Sequence, residues 1–448
     1  MDKNRIDMLN GPLLGKIMSF ALPFAVSSIL QQLFNSVDVA VVGRFASSEA
    51  LAAVGANTFL INLMLNLFLG ISIGANVVIA NLIGQRDGKR IRRAVGSTMV
   101  IALLGGCVML VVGLVVARPV LEWMGTPQNI LDDAVLYLRI YFLGVPCFMV
   151  YNFGASILRS KGDAKRPLYI LVVAGVINAM LNLLFVIVFR MSVAGVAIAT
   201  GIANLFSAAV IIYLLMHEKM PFRLRWRYLS LDRQEVKRIL QIGIPAGLQT
   251  MVFSLSNVFV QTSINTYGSS AIAGASISQM FDYYCYFLMV GFSSAAVTFV
   301  GQNYGAGLID RCKRTFWICL GGGALACLAG NLLFIIGSDS FVSIFSEDRD
   351  VARYAMLRMS TVLWFQWMAA AYEIPASAMR GFGHSLEPAL ITIFGTCVFR
   401  LVWIFTIVPV WTGFQHLMMI YPISWIFTVL LMVPVYVWQS RKAFARFQ

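Results

Sequence analysis

Charge is scarcest in this sequence. Only 12% of its residues are Asp, Glu, Lys or Arg, against 59% hydrophobic residues and a mean hydropathy of +0.80. No polar interval approaches about 40 residues, which excludes a soluble domain of useful size. Seven cysteines form no Cys-x-x-Cys pair and sit mostly in apolar segments, so they read as small packing residues, neither disulfides nor metal ligands. Three well-separated histidines make no metal site. There is no Walker A string, so ATP does not drive the chain directly, and no cofactor is expected. HExxH, GxSxG and paired catalytic carboxylates are missing too, which argues against a membrane enzyme. The net charge of +14 invites a nucleic-acid reading, but the basic residues cluster in short loops between apolar segments, where they report topology.

What is present is apolar length. About twelve stretches, from 13–42 to 415–439, are long enough to cross a bilayer core of roughly 30 Å. They predict an all-α polytopic membrane protein. The polar run Met1–Lys16 leads straight into the first span with no small-residue cleavage site, so no removable signal peptide is expected. Taking the N-terminus, every second loop and the C-terminus as one side gathers about 26 of the 34 Lys and Arg there, which predicts a cell-membrane protein with both termini cytoplasmic. The longest connector, near 218–238, divides the chain into an N-terminal lobe (1–217, helices 1–6) and a C-terminal lobe (239–448, helices 7–12).

Those lobes repeat. Pro23 pairs with Pro245 and Asn35 with Asn257 at an offset of 222; Gly70 with Gly291 and Arg159 with Arg380 at 221. The string Ala-Ser-x-x-Arg-x-x-Gly-x-x-x-x-Pro occurs at Ala155–Pro167 and again at Ala376–Pro388. An even number of spans per half makes these parallel repeats, and a site between or within two such bundles is a transporter architecture.

Divergence between the repeats marks the candidate site. Within the first span, Pro23 leaves a carbonyl one turn earlier without its donor and offers a bend. Ser27, Gln31, Asn35 and Asp38 follow on one face, at about 100° per residue. Asp38 corresponds to Val260, Asn178 and Asn182 to Phe399 and Trp403, and Thr200 to Tyr421, so the polar set exists only in the first half. Isolated Asn and Thr in spans usually join helices; beside an acid they suggest a cation site. Of 20 acidic residues only Asp38, Asp282 and Glu373 fall within spans, and Arg400 is the clearest basic residue near a span centre. Asp282, beside Tyr283, suits a cleft for an amphipathic cation, and Glu373 and Arg400 extend it; the competing reading is an ion pair of Asp282 or Glu373 with Arg400.

Several strings resemble the multidrug and toxic compound extrusion (MATE) transporters. They are Leu30-Gln-Gln-Leu-Phe-Asn-Ser-Val-Asp-Val-Ala-Val-Val-Gly-Arg-Phe, Ala50-Leu-Ala-Ala-Val-Gly, Val300-Gly-Gln-Asn-Tyr-Gly-Ala-Gly and the two Arg-x-x-Gly repeats. The likeness covers essentially the whole chain. It implies twelve helices in two six-helix lobes forming a V around a central cleft, and cation-driven antiport of organic, cationic amphiphilic compounds. It further implies that Asp38 carries coupling, as in the DNA-damage-inducible (DinF-like) branch, with Asn178, Asn182 and Thr200 as its polar partners. That branch has an Asp where Asn182 stands, and the missing carboxylate turns the reading from Na+ toward H+. The NorM-like branch places its acid where Phe253 stands here. The expected protein is a monomeric H+-coupled multidrug efflux antiporter; the alternatives are Na+ held by Asp38, Asn178, Asn182 and Thr200, or a flippase for a lipid-linked precursor.

Overall fold

The computed structural model describes residues 6–447; the first part of the polar N-terminal run, 1–5, lies outside the described residues. The described residues are overwhelmingly helical, as the bilayer demands: with no water to bond to, backbone groups must be satisfied within each span. The first nine long helices are α1 (Leu13–Phe45), α2 (Ser48–Gly84), α3 (Gly88–Trp123), α4 (Gln128–Ser160), α5 (Lys165–Leu183), α6 (Ser192–Met216), α7 (Arg233–Asn265), α8 (Ser269–Gly305) and α9 (Ile309–Ile336). Asp87 caps α3 by accepting from the backbone N–H of Arg90 at 3.0 Å. α1 continues through Pro23 without a break in its assignment.

The tenth run is assembled from pieces: α10 (Arg349–Arg358), a π-helical turn Met359–Leu363, short links, and α11 (Ala370–Gly381). The eleventh contains α12 (Leu386–Thr392), a π-helical segment Ile393–Val398 and α13 (Phe399–Thr406); α14 (Ile420–Phe444) follows. Among the described residues eleven stretches are long and apolar enough to cross a membrane. The one expected span missing from that set is 351–379, because α10 begins with charged residues and no single helix carries the run.

The chain forms two compact units. One comprises residue 6 and 27–247; the other comprises 7–26 and 248–447. This corrects the chain-order division at 218–238: the N-terminal half of α1 belongs with the second half of the chain, and that of α7 with the first. Glycine explains the exchange. In the first unit a Cβ on Gly70 of α2 would lie 2.1 Å from the backbone nitrogen of Gly247 on α7. In the second, a Cβ on Gly291 of α8 would lie 2.4 Å from the carbonyl oxygen of Ala21 and 3.0 Å from the Cβ of Ala25 on α1. Only backbone-to-backbone contact fits at either place, the small-residue packing that membrane helices use in place of the hydrophobic effect.

In the first unit the ends of α4, α5 and α6 are tied by charge. Glu218 receives Lys161 Nζ at 2.6 Å and Arg166 Nη2 at 2.6 Å, while Arg166 also meets Asp163. Lys161 and Glu218 are almost wholly buried. Glu218→Gln leaves two cations sharing Asp163. It is expected to cost about 3 kcal/mol and to lower the thermal unfolding midpoint in detergent by several degrees; an unchanged midpoint would contradict this account.

Candidate functional site

Within the first unit, α1, α5 and α6 bring four sequence-predicted residues together. Asn178 and Asn182 are one turn apart on α5 and project on the same side. The Nδ2 groups of both donate to Asp38 Oδ1, Asn178 at 2.7 Å and Asn182 at 2.5 Å. Thr200 Oγ1 donates to the Val196 carbonyl at 3.0 Å and lies 3.5 Å from Asp38 Oδ2, the outer limit of a hydrogen bond. Both asparagines are buried, and their Oδ1 atoms have no hydrogen-bond partner. Asp38 is half-buried, and no basic side chain pairs with it among the described residues. One carboxylate oxygen is therefore held by two amides and the other is nearly free.

Asp38 opens on a cavity of about 90 Å³. Gln31 and Asn35 line it as the helical spacing predicts, but Ser27 does not; the wall begins one turn later, at Gln31. Sequence reasoning missed Tyr141 on α4 and Asn204 and Ser207 on α6, which complete the lining. The 3.6-residue period from Thr200 pointed at the last two, since 200, 204 and 207 share a face. Close approach of α1 to α5 depends on Gly175, where a Cβ would fall 1.9 Å from the ring of Phe34. The α-helix gives way to a π-helical turn, Leu184–Val188, two residues after Asn182.

The expected cleft residues lie in the second unit, and three of the four line a second cavity of about 90 Å³: Asp282, Tyr283 and Arg400. Glu373 does not line it; the Tyr286 hydroxyl donates to Glu373 Oε1 at 3.4 Å. The proposed pairing of an acid with Arg400 is also corrected. Asp282 Oδ2 receives Arg358 Nη1 at 2.6 Å, and no carboxylate lies within 4.0 Å of Arg400 among the described residues. Arg358 escaped sequence reasoning because it closes a helix that opens with Arg349, Asp350 and Arg353, and so reads as the charged edge of a span. No cluster of three or more His, Cys, Asp or Glu suited to a metal occurs among the described residues.

Repeated helical units in a bilayer, each with a polar cavity and neither with catalytic apparatus, define a multi-pass transport protein and not an enzyme. The MatE family model matches the chain twice, over residues 23–184 and 245–406, the same offset of 222 that relates the repeats, and the chain belongs to the MATE family. Its relatives are multidrug efflux transporters that handle small molecules within the membrane. It is similar to the probable multidrug resistance protein YoeA of Bacillus subtilis (strain 168), 30% identical over 84% of this chain and 82% of that one. It also resembles the probable multidrug resistance protein YpnP of the same organism, 24% identical over 88% of each. A solved outward-facing multidrug resistance MATE transporter superposes with a TM-score of 0.89 over 98% of both chains at 20% identity, a likeness of fold.

Gly175→Ala is expected to push the Phe34 ring and α1 away from α5. A loss of about 1–3 kcal/mol, read as a lower melting midpoint in detergent, checks it; an unshifted midpoint would show that α1 can yield without cost.

Proposed function

We propose that the protein is a secondary active multidrug efflux antiporter that exports organic amphiphiles in exchange for H+, with Asp38 as the coupling group. The observation that carries this reading is a carboxylate in a membrane-spanning helix with amide partners and no basic partner. Such a group is neutralised by a proton or by a bound cation, and either event changes its hydrogen bonds. A charged acceptor holds each donor with about 1.5–3 kcal/mol, so discharging Asp38 alters its attachment to α5 by about 3–6 kcal/mol. That range includes the roughly 5.5 kcal/mol that moves a two-state equilibrium from 1:99 to 99:1. Pro23 places a missing backbone hydrogen bond in the same helix, fifteen residues earlier, where α1 can bend in response. Both termini are placed on the cytoplasmic side by the charge asymmetry of the loops.

Sodium is the second reading, and one observation favours it: the buried Oδ1 atoms of Asn178 and Asn182 are unused acceptors. With Asp38 and Thr200 they make four hard oxygen ligands. Only one of them carries a formal charge, which favours the proton. Cationic substrates find a single unneutralised carboxylate among the two cavities, Asp38, because Asp282 is matched by Arg358.

Efflux of a fluorescent substrate from proteoliposomes, driven separately by proton and sodium gradients, tests the reading. The wild type is expected to respond to the proton gradient alone, and Asp38→Asn to lose at least about tenfold of that rate. Full proton-driven efflux by Asp38→Asn would sink the scheme. Asn182→Asp supplies a second charge to the oxygen set and is expected to create measurable sodium binding, monitored with radioactive sodium at fixed pH; no gain would refute the claim that ligand charge selects the ion.

A further inference from the structure

The coupling scheme leaves the second cavity unused, yet its chemistry is more pronounced than that of the first. Its lining carries two guanidiniums, Arg358 and Arg400, against one carboxylate, Asp282, a net charge of one positive. The Asp282–Arg358 contact at 2.6 Å accounts for one cation. Arg400 is left over. It is 1% exposed, and its partners are neutral: Nε donates to Ser424 Oγ at 3.3 Å and Nη1 to Asn257 Oδ1 at 3.0 Å. Nη2 makes no hydrogen bond among the described residues. The rings of Tyr421 and Phe253 lie 4.6 and 5.3 Å from the guanidinium carbon, which softens the charge without cancelling it.

The repeat makes this more than a local oddity. The two cavities are built from corresponding positions, Asn35 with Asn257, Tyr151 with Tyr372 and Thr200 with Tyr421, yet one holds a lone carboxylate and the other a lone guanidinium. Both arginines also flank π-helical segments: Arg358 immediately precedes Met359–Leu363, and Arg400 lies two residues beyond Ile393–Val398. Such segments shift the register of a helix and occur often where a side chain must be aimed at a ligand. A buried charge kept without a counter-ion inside a membrane protein is costly, and its retention is accounted for by an anion that arrives from outside.

We propose that this cavity is the subsite for the carboxylate of an aromatic organic acid or zwitterion, with Arg400 Nη2 donating to the carboxylate and the Tyr421 and Phe253 rings lying against the ligand's apolar part. The inference deepens the transporter reading only in taking the ligand to be the exported substrate. Binding needs no ion gradient, so failure of proton coupling and failure of this subsite are read in separate experiments.

The test is calorimetric titration of the full-length protein, purified in a neutral detergent, with three probes of one shape and different charge: 2-naphthoate, 2-naphthamide and 2-naphthamidinium. The wild type is expected to bind naphthoate at least about tenfold more tightly than either analogue. Arg400→Met removes the cation, and Asn257→Asp, nearly isosteric, supplies the missing counter-ion; both are expected to erase that preference, while Arg400→Lys keeps part of it. Asn257→Asp carries the test if Arg400→Met fails to fold. Dihexanoyl phosphatidylglycerol offers an anionic group on a lipid headgroup and is expected not to displace naphthoate. The proposal is overturned if the wild type binds naphthoate no better than the amide, if the preference survives in Asn257→Asp, or if the lipid displaces naphthoate at equal concentration.

Discussion

A carboxylate with amides but no cation beside it is the interaction on which the functional half of this structure depends. Asp38 is held by two buried asparagines on one oxygen and barely at all on the other. In water such an arrangement would be unremarked; in a span it means that charge on α1 is balanced by nothing permanent. The attachment of α1 to α5 therefore varies with whatever occupies the carboxylate. Gly175 makes the dependence tight, because the ring of Phe34 lies directly against its Cα with no side chain between. The scaffold elsewhere is the opposite kind of object: its buried charges, as at Lys161, Glu218 and Arg166, are matched in place and have no vacancy to fill.

Three π-helical segments mark where the helical ladder yields to the needs of side chains. One begins two residues after Asn182, one begins directly after Arg358, and one ends two residues before Arg400. A strict 3.6-residue period would carry each of these polar groups onto a different face within two turns. Departures from regular helix thus fall beside cavity-facing polar residues of both units, and the long stretches between them follow ordinary hydrophobic patterning.

Much of this was legible in the sequence, for identifiable reasons. Apolar length and loop charge disclosed a multi-pass helical protein, because backbone polarity in lipid permits so few alternatives. The asymmetry between repeats singled out Asp38, Asn178, Asn182 and Thr200, and the fold brings all four within hydrogen-bond reach of one another's groups. Pairing was less legible. Arg400 was the visible partner for Asp282, yet Arg358, half-hidden in a charged helix start, takes that place through a turn no residue pattern announces. Ser27 shares a helical face with Asp38 but sits before the cavity wall begins, a limit set by neighbouring helices and not by periodicity. The division at 218–238 followed the longest connector, whereas the compact units part inside two unbroken helices, where composition does not change.

That exchange of helix halves has a consequence for how such a chain can arise. Each repeat carries a glycine-walled berth, at Gly70 and at Gly291, and in both the occupant comes from the opposite repeat. A solitary six-helix half would have the berth empty and its own leading segment without a seat. Two identical copies would satisfy both by trading those segments, in the manner of a domain-swapped pair. Fusion of the copies then frees each cavity to change alone, and a lone acid in one and a lone base in the other is an arrangement that identical subunits, bound by symmetry, have no means to reach.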